Sequence, residues 1–129
     1  LSSSAKVADL ITVMGDVHHI FPKAYLVENG FNDKRWYNQV ANYTFLDANV
    51  NRIILKKAPG EYFSEALGQC DTGIPVIGTI LDKNMFYENL TANCVPHSVV
   101  QMTAKDYPDF LTERRKLMAK KIRDYYYAL

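Results

Sequence analysis

Near the start of the chain, the sequence reads Asp16-Val17-His18-His19-Ile20-Phe21-Pro22-Lys23. Its first part, Asp16 to Ile20, predicts a short strand that ends before Pro22, because proline lacks the N–H that a strand ladder needs. Consecutive side chains on a strand point to opposite faces of the sheet. His18 and His19 are therefore expected to face different surroundings.

Proline, glycine and capping residues predict three further elements close to this stretch. Pro22 suits the first turn of a helix, which should cover Lys23–Asn29 and stop at Gly30. Asp33 should cap a second short helix that runs through Gln39. The aromatic and β-branched segment Tyr43–Leu46 predicts a second strand.

The rest of the chain is predicted to be mostly helical. Asp47 or Asn49 should cap a helix, and Pro59 should open another, from Gly60 to Leu67, that Gly68 closes. Residues 69–105 carry no clear pattern. From Tyr107 the apolar period is helical, with one broad stripe formed by Phe110, Arg114, Leu117, Ile122, Tyr125 and Leu129. The expected class is α+β, a short antiparallel hairpin plus helix within a mostly helical domain that has a long C-terminal helix.

Size and composition indicate one ordinary globular domain over residues 1–129, which we expect to be the C-terminal part of a larger protein. The formal net charge is +1, so the chain as a whole neither requires nor excludes a polyanionic partner. No apolar run is long enough to span a bilayer. Two lone cysteines, Cys70 and Cys94, belong to no metal-binding pair and suit a reducing cytoplasm.

The histidine pair fits the needs of phosphodiester hydrolysis. That reaction requires an activated water, neutralised charge at phosphorus and support for the departing oxygen. Histidine is the natural base near neutral pH, and a divalent cation held by a few side chains supplies the rest. On a strand, one of His18 and His19 can ligate the cation while the other faces the water, and Asp16 shares a face with His18 as a further candidate ligand.

Three runs of sequence together resemble the His-Asn-His (HNH, ββα-metal) endonuclease superfamily. They are His18-His19-Ile20-Phe21-Pro22-Lys23, then Asn42-Tyr43-Thr44-Phe45-Leu46, then Asn51-Arg52 followed by Lys57-Ala58-Pro59-Gly60-Glu61-Tyr62. The likeness is strongest to the C-terminal nuclease domains of Gmr-type modification-dependent (type IV) restriction enzymes and related phage-defence proteins. It covers residues 16–67 strongly and residues 107–125 weakly.

The resemblance implies a role for each matching residue. His19 corresponds to the general base, His18 to the first metal ligand, and Asn42 to a structural asparagine that aims the base. Asn51 stands where many members have histidine, and its amide oxygen favours Mg²⁺ or Mn²⁺ over Zn²⁺. The implied core is the ββα-metal hairpin and helix.

The resemblance also implies the partners and the setting. The substrate would be double-stranded DNA, cut or nicked in the restriction of foreign or modified DNA, in a bacterial cytoplasm. A recognition or NTP-using domain would lie elsewhere in the same full-length protein or complex, with no membrane involved. Basic residues are concentrated between positions 23 and 57, and this locally basic strip is expected to contact phosphates. The predicted contacts are Lys23, Arg52, Lys56 and Lys57.

Other interpretations of the same residues stay open. The domain could be a catalytically inactive nucleic-acid-binding module on the same fold, an RNase or a secreted nuclease toxin. Lys56 and Lys57 would sit equally well at a solvated helix end. His97 is expected to be a loop or core histidine. Packing is the expected role of the aromatic residues Trp36, Tyr37, Tyr125, Tyr126 and Tyr127.

Overall fold

The structure is a computed structural model that describes residues 17–45, 54, 57–75, 77–78 and 80–128. Two strands are present in this part of the chain, β1 (Val17–His19) and β2 (Tyr43–Phe45). The α-helices described are α1 (Lys23–Glu28), α2 (Lys34–Tyr37), α3 (Pro59–Thr72), α4 (Lys83–Ala92) and α5 (Tyr107–Ala128). Short 3-10 segments cover Val40–Asn42, His97–Gln101 and Ala104–Asp106. The predicted helix-rich α+β architecture, with a hairpin and a long C-terminal helix, is confirmed.

The two strands form an antiparallel hairpin. His18 pairs with Thr44 and His19 pairs with Tyr43. The pairing continues one step further, because the N–H of Ile20 donates to the carbonyl of Asn42 at 2.7 Å. Asp16 and Leu46, the outer ends of the two predicted strands, lie outside the described residues.

The hydrophobic core lies directly beneath the end of β1. Ile20 and Phe21 are fully buried, and the ring of Phe21 packs against Tyr107 and Phe110 of α5 at centroid distances of 4.9 and 4.8 Å. Burial of such aromatic side chains contributes roughly 1.5–3 kcal/mol each relative to exposure. The chain that follows His19 is thus anchored on the first turn of α5.

Helix α3 is longer than predicted, and the predicted stop at Gly68 is wrong. The helix continues to Thr72 and ends at Gly73, which has φ +73°. A Cβ at Gly68 would meet nothing within 4 Å, so this glycine fits an ordinary helical position. The side chain of Gln69 extends the packing instead, since its amide binds the backbone N–H and carbonyl of Ile77 at 2.9 and 2.8 Å.

The apolar stripe predicted along α5 is correct only in its first half. Phe110 and Arg114 are buried, but Ile122 and Tyr125 are each 69% exposed. Tyr126 and Tyr127 are exposed too, so the packing role expected for residues 125–127 is not what the structure shows. Period alone places side chains on one face of a helix and carries no information about where the neighbouring core ends.

Other helix boundaries differ from the prediction for local reasons. Helix α2 ends at Tyr37 instead of Gln39, because Asn38 leaves the helical region of backbone space with ψ 65°. Helix α4 lies in the segment without a clear pattern, capped by the Asp82 carboxylate, which accepts from the N–H of Met85 at 3.0 Å. The helix predicted after Asp47 or Asn49 lies outside the described residues, apart from Ile54, which is buried in the core. Across the described ranges, none of the helices combines the length and apolar character that crossing a membrane demands.

Candidate active site

His19 lies at the end of β1, half-buried between two tyrosine rings. Its ring meets Tyr43 edge-on at a centroid distance of 5.3 Å and Tyr37 at 6.3 Å. Its Nε2 atom lies 3.1 Å from Oδ1 of Asn38. Three segments therefore define the position of this imidazole: β1 itself, the paired strand β2 and the residues just after α2.

Asn42 is fully buried, with 0% of its surface exposed, and within the described part of the chain its side chain binds backbone groups. Its Oδ1 accepts from the N–H of Phe21 at 2.8 Å, and its Nδ2 donates to the carbonyl of Phe21 at 3.1 Å. Nδ2 also donates to the carbonyl of Tyr37 at 3.3 Å. This one amide holds the chain two residues after His19 and the chain one residue before Asn38, so it fixes both halves of the His19–Asn38 contact.

His18 points to the other face of the hairpin, opposite the buried Thr44. The residue is half-buried, and its Nε2 atom is shielded from solvent. The two other predicted metal ligands, Asp16 and Asn51, lie outside the described residues. Within the part of the chain that is described, no group of three or more His, Cys, Asp or Glu side chains could hold a metal ion. Of the three predicted metal ligands, His18 is thus the one that the structure describes.

Two of the predicted phosphate contacts can be placed. The Lys23 ammonium lies over the ring of Tyr37, 5.1 Å from its centroid, on the tyrosine that contacts His19. Lys57 is engaged by Glu65 of α3, with Nζ 3.2 and 3.1 Å from the two carboxylate oxygens. The other two predicted contacts, Arg52 and Lys56, lie outside the described residues.

Arg114 ties the site to α5; the sequence placed it on the helical stripe and in the weakly matching C-terminal segment, without a role in the site. Its guanidinium is buried and donates to the carbonyls of Ala41 at 3.0 Å, Asn93 at 3.1 Å and Tyr43. Burial lowers the pKa of this guanidinium from its usual value. The sequence did hold a signal for this role, because Arg114 stands where the helical period calls for an apolar residue. A buried arginine requires hydrogen-bond partners.

Two tyrosine hydroxyls hold the remaining backbone around the site. Tyr62 of α3 donates to the carbonyl of Ile20, next to His19. Tyr107 donates to the carbonyl of Trp36 at 2.6 Å. Burial raises the pKa of both phenols, so each stays protonated and remains a donor at neutral pH.

The third histidine of the chain, His97, lies away from this cluster. It is exposed on a 3-10 segment, and its Nε2 lies 2.9 Å from the hydroxyl of Thr91. Its ring also contacts Tyr87 at 4.9 Å. Of the two positions expected from the sequence, loop or core, His97 therefore occupies an exposed one outside the core.

No protein-family model, curated protein or solved structure matches the chain.

Proposed function

We propose that the domain is a metal-dependent endonuclease of the HNH type, which hydrolyses DNA phosphodiester bonds with His19 as the general base. The observation that carries the proposal is the side chain of Asn42. It is completely buried, and its described hydrogen bonds hold the backbone of Phe21, two residues after His19, and of Tyr37, one residue before Asn38. A base held in this way meets the geometric condition for general-base catalysis, which demands a positioned side chain.

In the proposed reaction, the ring of His19 accepts a proton from a water molecule. The oxygen of that water forms a new bond to phosphorus, the bond from phosphorus to the leaving oxygen breaks, and the leaving oxygen takes a proton from solvent water. His19 then returns its proton to solvent. The ring is flanked by Tyr37 and Tyr43 and is only partly buried, so His19 remains in contact with solvent. General-base catalysis of this kind contributes about 10²–10⁴ in rate.

His18 would help to hold a divalent cation, Mg²⁺ or Mn²⁺, together with Asn51 and Asp16. What supports this is the place of His18 in the hairpin, on the opposite face from the base, with a ring nitrogen shielded from bulk solvent. When bound, such a cation neutralises charge at the phosphate and supports the leaving oxygen.

DNA would be held mainly through its phosphates, by Lys23, Arg52, Lys56 and Lys57. Contacts of this kind give non-specific affinities of about 10⁻⁴–10⁻⁶ M at physiological salt. Base readout requires an element fitted into a groove, so selection of foreign or modified DNA would fall to a recognition or NTP-using domain of the same protein or complex. The expected setting is restriction and phage defence in a bacterial cytoplasm.

The proposal is tested by incubating the domain with supercoiled plasmid, linear duplex and labelled RNA, each with Mg²⁺, with Mn²⁺ and with EDTA. We expect nicked or linear plasmid with either metal and none in EDTA. Cleavage of RNA alone would make the domain an RNase. Binding without cleavage of any substrate would favour the inactive nucleic-acid-binding module on the same fold, and full activity in EDTA would contradict the mechanism.

A further inference from the structure

Asn38 contacts the imidazole of His19 from outside the runs of sequence that predicted the site. Its Oδ1 lies 3.1 Å from Nε2 of His19, and its own backbone N–H donates to the carbonyl of Lys34 at 2.9 Å. Asn38 is therefore anchored on the end of α2. The amide oxygen can only accept a hydrogen bond, so the nitrogen that faces it must carry the proton.

The segment that carries Asn38 is held on three sides. Asn42 binds the carbonyl of Tyr37, and Tyr107 of α5 binds the carbonyl of Trp36. On the other side of Asn38, the Arg115 guanidinium donates to Oε1 of Gln39 at 2.8 Å. With both neighbours pinned, Asn38 meets the histidine from a fixed position, which is the condition for orienting a catalytic group.

We propose that Asn38 is a positioning residue for the base, and that it fixes His19 with its proton on Nε2 so that Nδ1 is the atom that accepts the proton of the water. The role of Nδ1 as the proton acceptor rests on the proposed nuclease function. The proton on Nε2 rests on the contact with Asn38 alone. A neutral histidine has one donor and one acceptor nitrogen, and the hydrogen bond made by one of them decides which is which.

The other groups that face His19 do not determine which of its ring nitrogens carries the proton. The rings of Tyr43 and Tyr37 stand at 74° and 70° to the imidazole plane, and Lys23 lies over the Tyr37 ring, 5.1 Å from its centroid. Aromatic contacts of this type constrain the plane of the ring and give no preference between its two nitrogens. Asn38 is the described side chain whose hydrogen bond makes that choice.

The first test is the ¹⁵N NMR signature of the His19 side chain in full-length metal-free protein, at pH about 8, where an ordinary histidine is neutral. We expect a single Nε2-protonated form in the wild type. The variant Asn38→Ala should show a mixture of the two forms, and Asn38→Asp, which keeps an acceptor oxygen, should restore the single form. The matched control is Asn32→Ala, an exposed asparagine on the other side of α2, which should leave the signature unchanged.

The second test is the kinetics of plasmid cleavage by the same variants. Asn38→Ala should lower kcat by up to about a hundredfold, because a misoriented base costs on that order, while KM stays near the wild-type value. Asn38→Asp should recover most of the loss. An Nδ1-protonated wild type, or an NMR signature identical in the wild type and Asn38→Ala, would overturn the assignment. The expected NMR pattern in a protein that cleaves nothing would uphold the assignment and reject the nuclease.

Discussion

Replacing Asn42 with alanine should destabilise the domain more than almost any other single polar substitution. The change removes the partner of three backbone groups, the N–H and carbonyl of Phe21 and the carbonyl of Tyr37, at a position with 0% exposure. A buried group left without its hydrogen bond costs about 1–3 kcal/mol. Allowing for partial relaxation, Asn42→Ala should lower the free energy of unfolding by about 3–5 kcal/mol.

Urea denaturation followed by circular dichroism measures this loss. The matched control is Asn32→Ala, an exposed asparagine, which should stay within about 0.5 kcal/mol of the wild type. If Asn42→Ala lowers the free energy of unfolding by less than about 1 kcal/mol, the buried amide does not hold the segments of Phe21 and Tyr37. Asn42 would then not position His19.

Asn42→Asp refines the same prediction through its dependence on pH. The carboxylate could still accept from the N–H of Phe21, but its second oxygen would face the carbonyls of Phe21 and Tyr37. Burial and these carbonyls should raise the pKa of the introduced carboxyl in the folded state. The variant should therefore come closest to the wild type below about pH 4, near the unfolded pKa, and lose stability as pH rises through the folded pKa. A stability difference that is independent of pH would contradict this account.

Three further predictions concern the surroundings of the site. Gly60→Ala should destabilise the fold by about 1–3 kcal/mol, because the added Cβ would lie 2.6 Å from the carbonyl oxygen of Met102. Gly68→Ala should stabilise the fold by about 0.5–1 kcal/mol. Similar urea midpoints for the two variants would contradict the packing of α3. Arg114→Lys should cost about 2–4 kcal/mol in urea denaturation, because one ammonium cannot reproduce the guanidinium's bonds to separate carbonyls; a loss below about 1 kcal/mol would argue against its bracing role. Glu65→Gln should release Lys57 and steepen the salt dependence of DNA binding by about 0.9 log–log units, as measured by fluorescence anisotropy. If the salt dependence stays steeper when Lys57→Ala is added, Lys57 is not the phosphate contact.

The hairpin was predictable from the sequence because its signals are local. The stretch from Asp16 to Lys23 ends at a proline, and Tyr43–Leu46 has strong strand propensity, so both strands could be placed to within a residue or two. Asn42 was also singled out by its place in the resemblance to HNH nucleases. Strand ends, caps and prolines act over a few residues, which is the range that a single sequence reveals.

The contacts that complete the site were not predictable in this way, because they join residues far apart in the chain. Asn38 meets His19 across 19 residues, and Arg114 reaches Ala41 across 73. The end of the buried stripe on α5 depends likewise on which elements pack against it, and Ile122 follows the helical period yet is exposed. Tertiary packing decides such features, and the spacing of residues within one element does not record it.

The role of His19 as the general base is tested by the rate of plasmid cleavage by His19→Ala under single-turnover conditions with Mg²⁺ or Mn²⁺. The side chain is half-buried at the end of a strand, so the variant should keep the wild-type circular dichroism spectrum and nearly the wild-type urea midpoint. We expect its cleavage rate to fall by about 10²–10⁴ while its affinity for duplex DNA is retained. A folded His19→Ala protein that cleaves plasmid at the wild-type rate would contradict the assignment of the base and, with it, the proposed mechanism.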